Sequence, residues 1–443
     1  MNAARSEKLR RALTTLANEL AAKLDAPLWL KLWEGTLLPL GRQNTMESMG
    51  DSQEKLAIVI SDPGAIPSLM RRPTLDRVIR LYAHGKIGFE GGTLIDFGEM
   101  FGDKSTRRRL KKISKRKLAR LFLPFLTAAG TDVNASRNFE GDEVGADQKK
   151  RNERDNIGFH YDVSNDFYEL FLDDAMVYTC AYFSDWGNDL SRAQFDKLEM
   201  TCRKLRMKPG ERFLDIGCGW GALICHAAKH HGVHAHGVTL STKQYDYALE
   251  RIAREGLQDL VTVELKDYRD VSQKFDKISS IGMYEHIGVA AIPEYMSKVR
   301  SLLAPDGLFL NHGITRRSKR KSKKFASRPE QRALVRYIFP GGELDDIGHT
   351  LQELERAGFE VHDVEGWREH YALTTRIWCE QLTANRKQAI EIVGEQTYRI
   401  WVAYLAGCSL AFTRGSARIY QTLVGHNAKG KSSIPPSRAD LYK

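Results

Sequence analysis

Three glycines at alternate positions, Gly217, Gly219 and Gly221, follow the apolar run Phe213–Ile216, which contains Asp215. A strand that ends this way can turn sharply and bring its backbone close to a ligand before a helix begins. Taken alone, the G-x-G-x-G turn suits nicotinamide, flavin or S-adenosylmethionine cofactors. Its context narrows the choice. The third glycine falls one residue earlier than in the G-x-G-x-x-G dinucleotide fingerprint, and the next strand ends in GVTLS, Gly237–Ser241, with no acidic residue to bind an NAD ribose. A nicotinamide cofactor is therefore disfavoured.

Two other sets of residues invite a chemical reading. The cysteines, Cys180, Cys202, Cys218, Cys225, Cys379 and Cys408, are widely separated and form no C-x-x-C pair, so neither a zinc site nor a disulfide framework is expected. His226, His230, His231, His234 and His236 are dense enough to suggest zinc. The glutamate of an H-E-x-x-H motif is missing, however, and the cluster is divided between the helix after the glycine turn and the strand that follows. No metal is expected.

The elements that position the turn alternate along the chain. Strand patterns at Arg212–Ile216, Val233–Val238, Leu260–Glu264, Phe275–Ile281 and Gly307–His312 are interleaved with helical patterns from Ala222 and Lys243. Such alternation predicts a doubly wound, Rossmann-like α/β domain with a mostly parallel sheet. A polar, charged stretch at 128–156 reads as a linker, so the domain is placed at 157–425 with a frayed tail at 426–443. The first 127 residues form a smaller region. It opens with a helical pattern through Leu9, Leu13, Leu16 and Leu20, continues through a strand-like LAIVI at Leu56–Ile60 and a helical pattern at Leu75–Leu81, and ends in KIGFEGGTLIDFGEM, whose alternation and glycines suit short strands and turns. This region resembles small lipid-carrier modules of the sterol-carrier type.

The formal net charge of +11 is concentrated in two runs. Lys104–Arg120 and Arg316–Lys324 hold 17 of the 67 basic residues and none of the 56 acidic ones. In the first, Leu110, Ile113, Leu118, Leu121 and Phe122 are interleaved with the charges, which suits an anionic lipid surface better than a nucleic-acid groove. No apolar run reaches the roughly 18 residues that span a bilayer, and no signal-peptide core is seen. A cytoplasmic protein, peripherally bound to the inner face of the membrane, is expected.

Several longer strings make the reading specific: HYDVSNDFYELFLDD at His160–Asp174, YTCAYF at Tyr178–Phe183, LDIGCGWG at Leu214–Gly221, GVTLSTKQ at Gly237–Gln244, YEHIG at Tyr284–Gly288 and NHGIT at Asn311–Thr315. In these strings and their order, the chain resembles the cyclopropane-fatty-acid synthase and mycolic-acid cyclopropane synthase family of class I, S-adenosylmethionine-dependent methyltransferases. The resemblance implies that Tyr178, Thr179, Asp215, Gly217, Cys218, Gly219, Thr239, Leu240, Gln244 and Tyr268 hold the cofactor. Thr179 and Tyr268 stand where relatives often carry Ser and Trp. In relatives a bound bicarbonate ion is the base, and the matching groups here are the side chains of Glu285, His312 and Tyr371 with the backbone amides of Cys180 and Ile314. Cys408 matches a cysteine assigned a catalytic role in the family. It lies in an apolar helical pattern without a basic neighbour close in sequence, which suits a pocket wall better than a nucleophile.

The implied chemistry is demanding, because an unactivated alkene is a poor nucleophile and its methylation leaves positive charge on carbon. The site must exclude water, stabilise a cation and offer one base. Aromatic faces suit the second task. Tyr161, Phe167, Tyr178, Tyr182, Phe183, Tyr337, Phe339 and Tyr371 lie near the motifs, each equally able to serve as core packing. The expected partners are unsaturated phospholipid acyl chains and an anionic membrane surface, with no nucleic acid, and a homodimer is expected. A methyl- or methylene-branched product remains open beside the cyclopropane, as does a lipid-binding or lipid-transfer protein with a degenerate methyltransferase fold.

Overall fold

The computed structural model describes residues 3–24, 26–41, 56–102, 122–126, 128–133, 163–318, 329–338, 342–426 and 434–442. Its contacts divide the chain into two units, Met1–Glu140 with Val393–Leu410, and Gly141–Ile392 with Ala411–Lys443. The stretch Val393–Leu410, placed by sequence in the second domain, thus groups with the first.

In the first unit the leucine-patterned helix spans Ala3–Leu24 and buries Leu9, Leu13 and Leu16 in a core shared with Leu28, Leu38, Phe97 and Phe125. Four short strands, Trp29–Lys31 (β1), Leu37–Pro39 (β2), Ala57–Ile60 (β3) and Ile87–Glu90 (β4), form a sheet in the order β2-β1-β3-β4. The KIGFEGGTLIDFGEM segment opens with its expected strand, β4, but Leu94–Gly102 is a helix where further strands and turns were expected. A reciprocal cap explains the difference. The Thr93 amide and hydroxyl both donate to Asp96 Oδ2 at 2.7 Å, while the Asp96 amide donates to Thr93 Oγ1 at 3.3 Å. The pair satisfies amides that a helix start otherwise leaves unbonded, and Ile95 and Phe97 are buried on the helix it begins.

The second unit holds seven strands: Arg212–Ile216 (β5), His234–Thr239 (β6), Val261–Leu265 (β7), Phe275–Ile281 (β8), Leu303–Arg316 (β9), Phe359–Gly366 (β10) and Ala417–His426 (β11). They form one sheet in the order β10-β11-β9-β8-β5-β6-β7, parallel from β9 through β7, with β11 antiparallel to both β9 and β10. This is the doubly wound α/β architecture read from the sequence. Side-chain alternation covers both faces: Phe213 packs with Leu223, Ile224 and Ala227, whereas Leu214 and Ile216 pack with Tyr295, Met296 and Val299. The chain winds outward from β5 in both directions, so β5 and β8 flank a switch point, and the crevice beyond their carboxyl ends is the usual ligand site of such sheets.

β9 runs well beyond the expected Gly307–His312 because β11 pairs with it from Leu308 to Arg316. The tail is anchored where it is described: Leu441 is buried, Arg438 pairs with Asp363 at 2.6 Å and Asp440 pairs with Arg206 at 3.0 Å. Among the described residues no helix is long and apolar enough to cross a membrane.

The capping pair gives a stability test. Thr93→Ala is expected to cost about 1 kcal/mol of the first unit's stability in urea unfolding, with the glycine-turn domain unaffected. An unchanged midpoint would show that the cap does not determine this helix.

Candidate active site

The glycine turn leaves β5 with three residues in the left-handed region, Gly217 at φ 77°, Gly219 at 55° and Gly221 at 83°. The Gly217 and Cys218 amides donate to Val238 O on β6 at 2.9 and 3.1 Å, which pins the turn to the neighbouring strand end. A Cβ built on Gly219 meets no protein atom within 4 Å, so the space over the turn is open to a ligand. A Cβ on Gly237 would come within 2.8 Å of Cys218 Sγ, so this glycine is what lets Cys218 tuck beneath the turn. Asp215 is buried and its Oδ1 accepts from Ser279 Oγ at 2.5 Å; burial raises its pKa to about 6.

The other cofactor candidates collect at the same edge. Beyond β6, Thr239 Oγ1 donates to Gln244 Oε1 at 2.9 Å, and Ser241 caps the next helix by accepting from the Gln244 amide. Leu240 lies between them and is half-buried. Beyond β7, Tyr268 is buried with its ring edge-on to Tyr295 at 5.2 Å.

Tyr178 and Thr179 lie on a loop held from several sides. Asp173 accepts from the Ala175 and Val177 amides at 3.0 and 2.9 Å, Gln194 Nε2 donates to Val177 O and Thr179 O, and the Ala181 amide donates to Thr374 Oγ1. Lys197, which the sequence reading passed over, is 3% exposed and donates through Nζ to Thr179 Oγ1 at 2.9 Å. Burial lowers its pKa to about 8, against the opposing pull of Asp215 and Asp173. The loop therefore rests on a buried ammonium group.

The proposed base site forms where β8 meets β9. Ile281 pairs with His312, and the Gly282 amide donates to His312 O at 2.9 Å just before the short helix Tyr284–Ile287. Glu285, 5% exposed, accepts from the Ile314 amide on Oε1 at 2.5 Å, while its Oε2 has no partner among the described residues. The Ile314 amide, expected to face an anion, is thus occupied by Glu285. Burial raises the Glu285 pKa to about 7. His312 is 1% exposed, its Nδ1 lies 3.2 Å from Gln421 Nε2 and its Nε2 has no partner among the described residues. Burial, with Lys197 and Lys204 nearby, holds it far below the usual imidazole range, so it is neutral.

Trp367, also absent from the sequence reading, ties the remaining residues to His312. Its buried ring lies edge-on to His312 at 5.0 Å, its carbonyl faces Cys180 Sγ at 3.8 Å, and that same carbonyl accepts from the Tyr371 amide at 3.1 Å. The Cys180 thiol is fully buried and burial pushes its pKa well up, so only its backbone is suited to ligand contact. Tyr371 joins an aromatic row, 4.6 Å from Phe412 and 6.0 Å from Trp378, which continues through Tyr178 and Tyr168 at 5.1 Å per step. Phe167 is fully buried against Phe171, Phe183 and Tyr337 are buried, and Tyr182 stacks on His370 at 4.9 Å. Tyr161 and Phe339 lie outside the described residues. Cys408 is half-buried, in no disulfide, on the helical stretch that groups with the first unit.

The histidine cluster divides as its spacing implied. His226 and His231 both turn Nε2 to Glu199 Oε2, at 3.2 and 3.0 Å, with Cys202 close by. Hydrogen bonding to one carboxylate accounts for that convergence. His236 instead bonds Thr262 Oγ1 at 2.7 Å. The basic run Lys104–Arg120 and most of Arg316–Lys324 lie outside the described residues; Arg316 is tied inward to Leu344 O and Asp346.

This chain is similar to proteins of known kind. The family model described as mycolic acid cyclopropane synthetase matches residues 148–422. A probable fatty acid methyltransferase of Pseudomonas putida is 36% identical over 427 residues, 95% of this chain and 97% of that one. The cyclopropane-fatty-acyl-phospholipid synthase of Escherichia coli K12 is 38% identical over 264 residues, 60% of this chain and 66% of that one. A crystal structure of a mycolic acid cyclopropane synthase complexed with SAH and CTAB superposes with a TM-score of 0.59 at 33% identity, over 62% of this chain and 99% of that one.

Two substitutions test the site. Gly219→Val is expected to abolish S-adenosylmethionine binding in calorimetric titration while melting remains cooperative, because its branched Cβ enters the open space over the turn. Unchanged affinity would mean that the turn does not hold the cofactor. Glu285→Gln is expected to lower turnover much more than cofactor affinity. It also has a pH signature. The folded pKa of about 7 lies above the ordinary 4.5, so the wild-type carboxyl loses native stability as pH rises from 4.5 through 7. The glutamine variant should therefore match wild type at pH 4 and exceed it at pH 8, by up to roughly 3 kcal/mol. Parallel melting curves at both pH values would place Glu285 in a solvated setting instead.

Proposed function

The chain belongs to the mycolic acid cyclopropane synthetase family of S-adenosylmethionine-dependent methyltransferases, and from that premise we propose that it closes a cyclopropane ring on the cis double bond of phospholipid acyl chains, with bicarbonate as base. Bound over the glycine turn, S-adenosylmethionine supplies an electrophilic methyl carbon. Gly217, Gly219, Thr239, Gln244, Thr179 and Tyr268 would hold it, with Lys197 bracing the Thr179 loop from behind.

The observation that carries the proposal is a pair of buried polar atoms without partners among the described residues, Glu285 Oε2 on the helix after β8 and His312 Nε2 on the adjacent β9. Polar atoms buried without a partner are costly, so such a pair points to a small polar ligand that satisfies both. Bicarbonate fits, and when bound there it supplies the proton acceptor. Glu285, whose pKa near neutrality lets one proton lie between it and an anion, orients that acceptor. Neutral His312 and the Tyr371 hydroxyl serve as donors. The aromatic row from Tyr168 through Tyr178 and Trp378 to Tyr371 excludes water and offers ring faces to charge developing on the substrate carbon.

A second reading shares the methyl transfer but ends in a methyl- or methylene-branched chain. It is favoured by the name of the Pseudomonas putida relative, which spans nearly the whole chain. Incubation with cofactor and unsaturated phospholipid, followed by mass analysis of the released acyl chains, separates the two. Gain of one CH2 with loss of the alkene supports the ring; the same gain with the alkene retained supports branching. No gain overturns both.

The substrate lies in a bilayer, so the basic run Lys104–Arg120, followed by the exposed Leu123 and Leu126 at 61% and 47%, is proposed to dock on anionic lipid. Each productive charge contributes roughly 1 kcal/mol before screening. Binding to anionic vesicles should weaken steeply with salt. Neutralising Lys111, Lys112, Lys115 and Arg116 should abolish activity on vesicles but spare it on detergent-dispersed lipid. Equal loss on both substrates, or salt-insensitive binding, would remove the docking role.

A further inference from the structure

Behind His312 runs a line of buried polar groups that the mechanism above does not use. Lys204, on the helix Leu190–Leu205, is 1% exposed, and its ammonium group lies 5.1 Å from the centre of the Trp367 ring. It pairs with Glu365 on β10 and donates to Gln421 Oε1 on β11 at 2.7 Å. Gln421 stands opposite His312 in the β9–β11 register, and its Nε2 lies 3.2 Å from His312 Nδ1.

Donor and acceptor chemistry permits one arrangement of this line. An ammonium group has only donors, so Gln421 must turn its carbonyl oxygen to Lys204 and its NH2 to His312. Facing a donor, His312 Nδ1 must be the acceptor, which leaves the ring proton on Nε2, the atom without a partner in the site. The reverse amide orientation would set NH2 against NH3+ in a buried setting.

We infer that Glu365, Lys204 and Gln421 are positioning residues that fix His312 as the Nε2–H tautomer, making it a standing hydrogen-bond donor to the anion beside Glu285. The anion's presence rests on the function proposed above; the tautomer does not. Glu365 balances the buried charge, Lys204 sets the amide, and Gln421 transmits that choice to the ring. His312 then orients the base without exchanging its own proton. Lys204 reinforces this, because a cation nearby disfavours a second proton on the imidazole.

The test uses the full chain labelled with 15N-histidine, with two-bond proton–nitrogen spectra in which the His312 signals are those missing from His312→Asn. The expected wild-type pattern is neutral imidazole protonated on Nε2. Gln421→Glu, close in size, replaces the NH2 donor with an acceptor. It is expected to move the ring proton to Nδ1 and lower turnover at least tenfold, with cofactor affinity and melting temperature little changed. Lys204→Met, which frees the amide to flip, should give a mixture of the two tautomers. Protonation on Nδ1 in the wild type, an imidazolium, or a Gln421→Glu spectrum like the wild type would overturn the relay. Full turnover after a demonstrated tautomer switch would overturn the donor role. If the wild-type tautomer is as expected but no methyl transfer to lipid is found, the proposed function fails while the relay stands.

Discussion

Two ammonium groups buried under the strand ends impose the constraint from which the rest of the site follows. Lys197 and Lys204 lie on one helix, and a cation removed from water is tolerated only when charge and hydrogen bonds replace its hydration. Lys197 answers with Thr179 Oγ1 and the fields of Asp173 and Asp215, Lys204 with Glu365, Gln421 and the face of Trp367. The satisfying groups are those that shape the active site. Thr179 belongs to the loop over the cofactor edge, Asp215 closes β5, and Gln421 faces His312. One helix therefore holds both ends of the reaction centre, and loosening either lysine would disturb groups that never touch it.

The sheet contributes a second constraint through register. β9 pairs in parallel with β8 and antiparallel with β11, and its two-residue alternation sets His312 and Ile314 on one face. Glu285 leaves the end of β8 at that level and accepts from the Ile314 amide, so its second oxygen stands clear. A one-residue slip would turn His312 to the opposite face and part it from Gln421. The long β9–β11 pairing makes such a slip costly, which gives the antiparallel edge a role in function as well as in closing the fold.

Much of this was legible in the sequence. β5 and β8 coincide with their expected limits, and the glycine turn, the Thr239–Gln244 edge and Glu285 follow β5, β6 and β8, with His312 on β9. The buried polar residues were missed for one cause. Gln194, Lys197, Thr201 and Lys204 recur at three- and four-residue spacing beside Ala193, Leu198, Cys202 and Leu205, so polar residues share the buried face of a helix. Periodicity weighs such residues as solvent-facing, and only the fold shows that strand ends are there to receive them. Trp367 was illegible for a different reason. It lies in no motif, and its importance comes from contacts with His312, Cys180 and Lys204, which are remote in sequence. Leu94–Gly102 was misread because a two-residue cap, Thr93 with Asp96, outweighed a glycine-rich alternation.

The same burial explains the form of the chemistry. Desolvation raises the thiols of Cys180, Cys202, Cys218 and Cys225, the last to about 12, so none of these is a thiolate nucleophile near neutrality. It keeps His312 neutral and brings Glu285 close to half-protonation at pH 7. In the proposed reaction, His312 Nδ1 is engaged by Gln421, so the ring does not offer that lone pair to a cation formed on a substrate carbon. Aromatic rings can lower the energy of that cation without bonding to it. The proposed proton acceptor is a small ion, and the Glu285 oxygen and His312 nitrogen without partners among the described residues are the groups proposed to hold it. The lysines are then more than a solved packing problem, since their positive field would favour the proposed anion and disfavours the extra proton that would turn His312 from donor to acid.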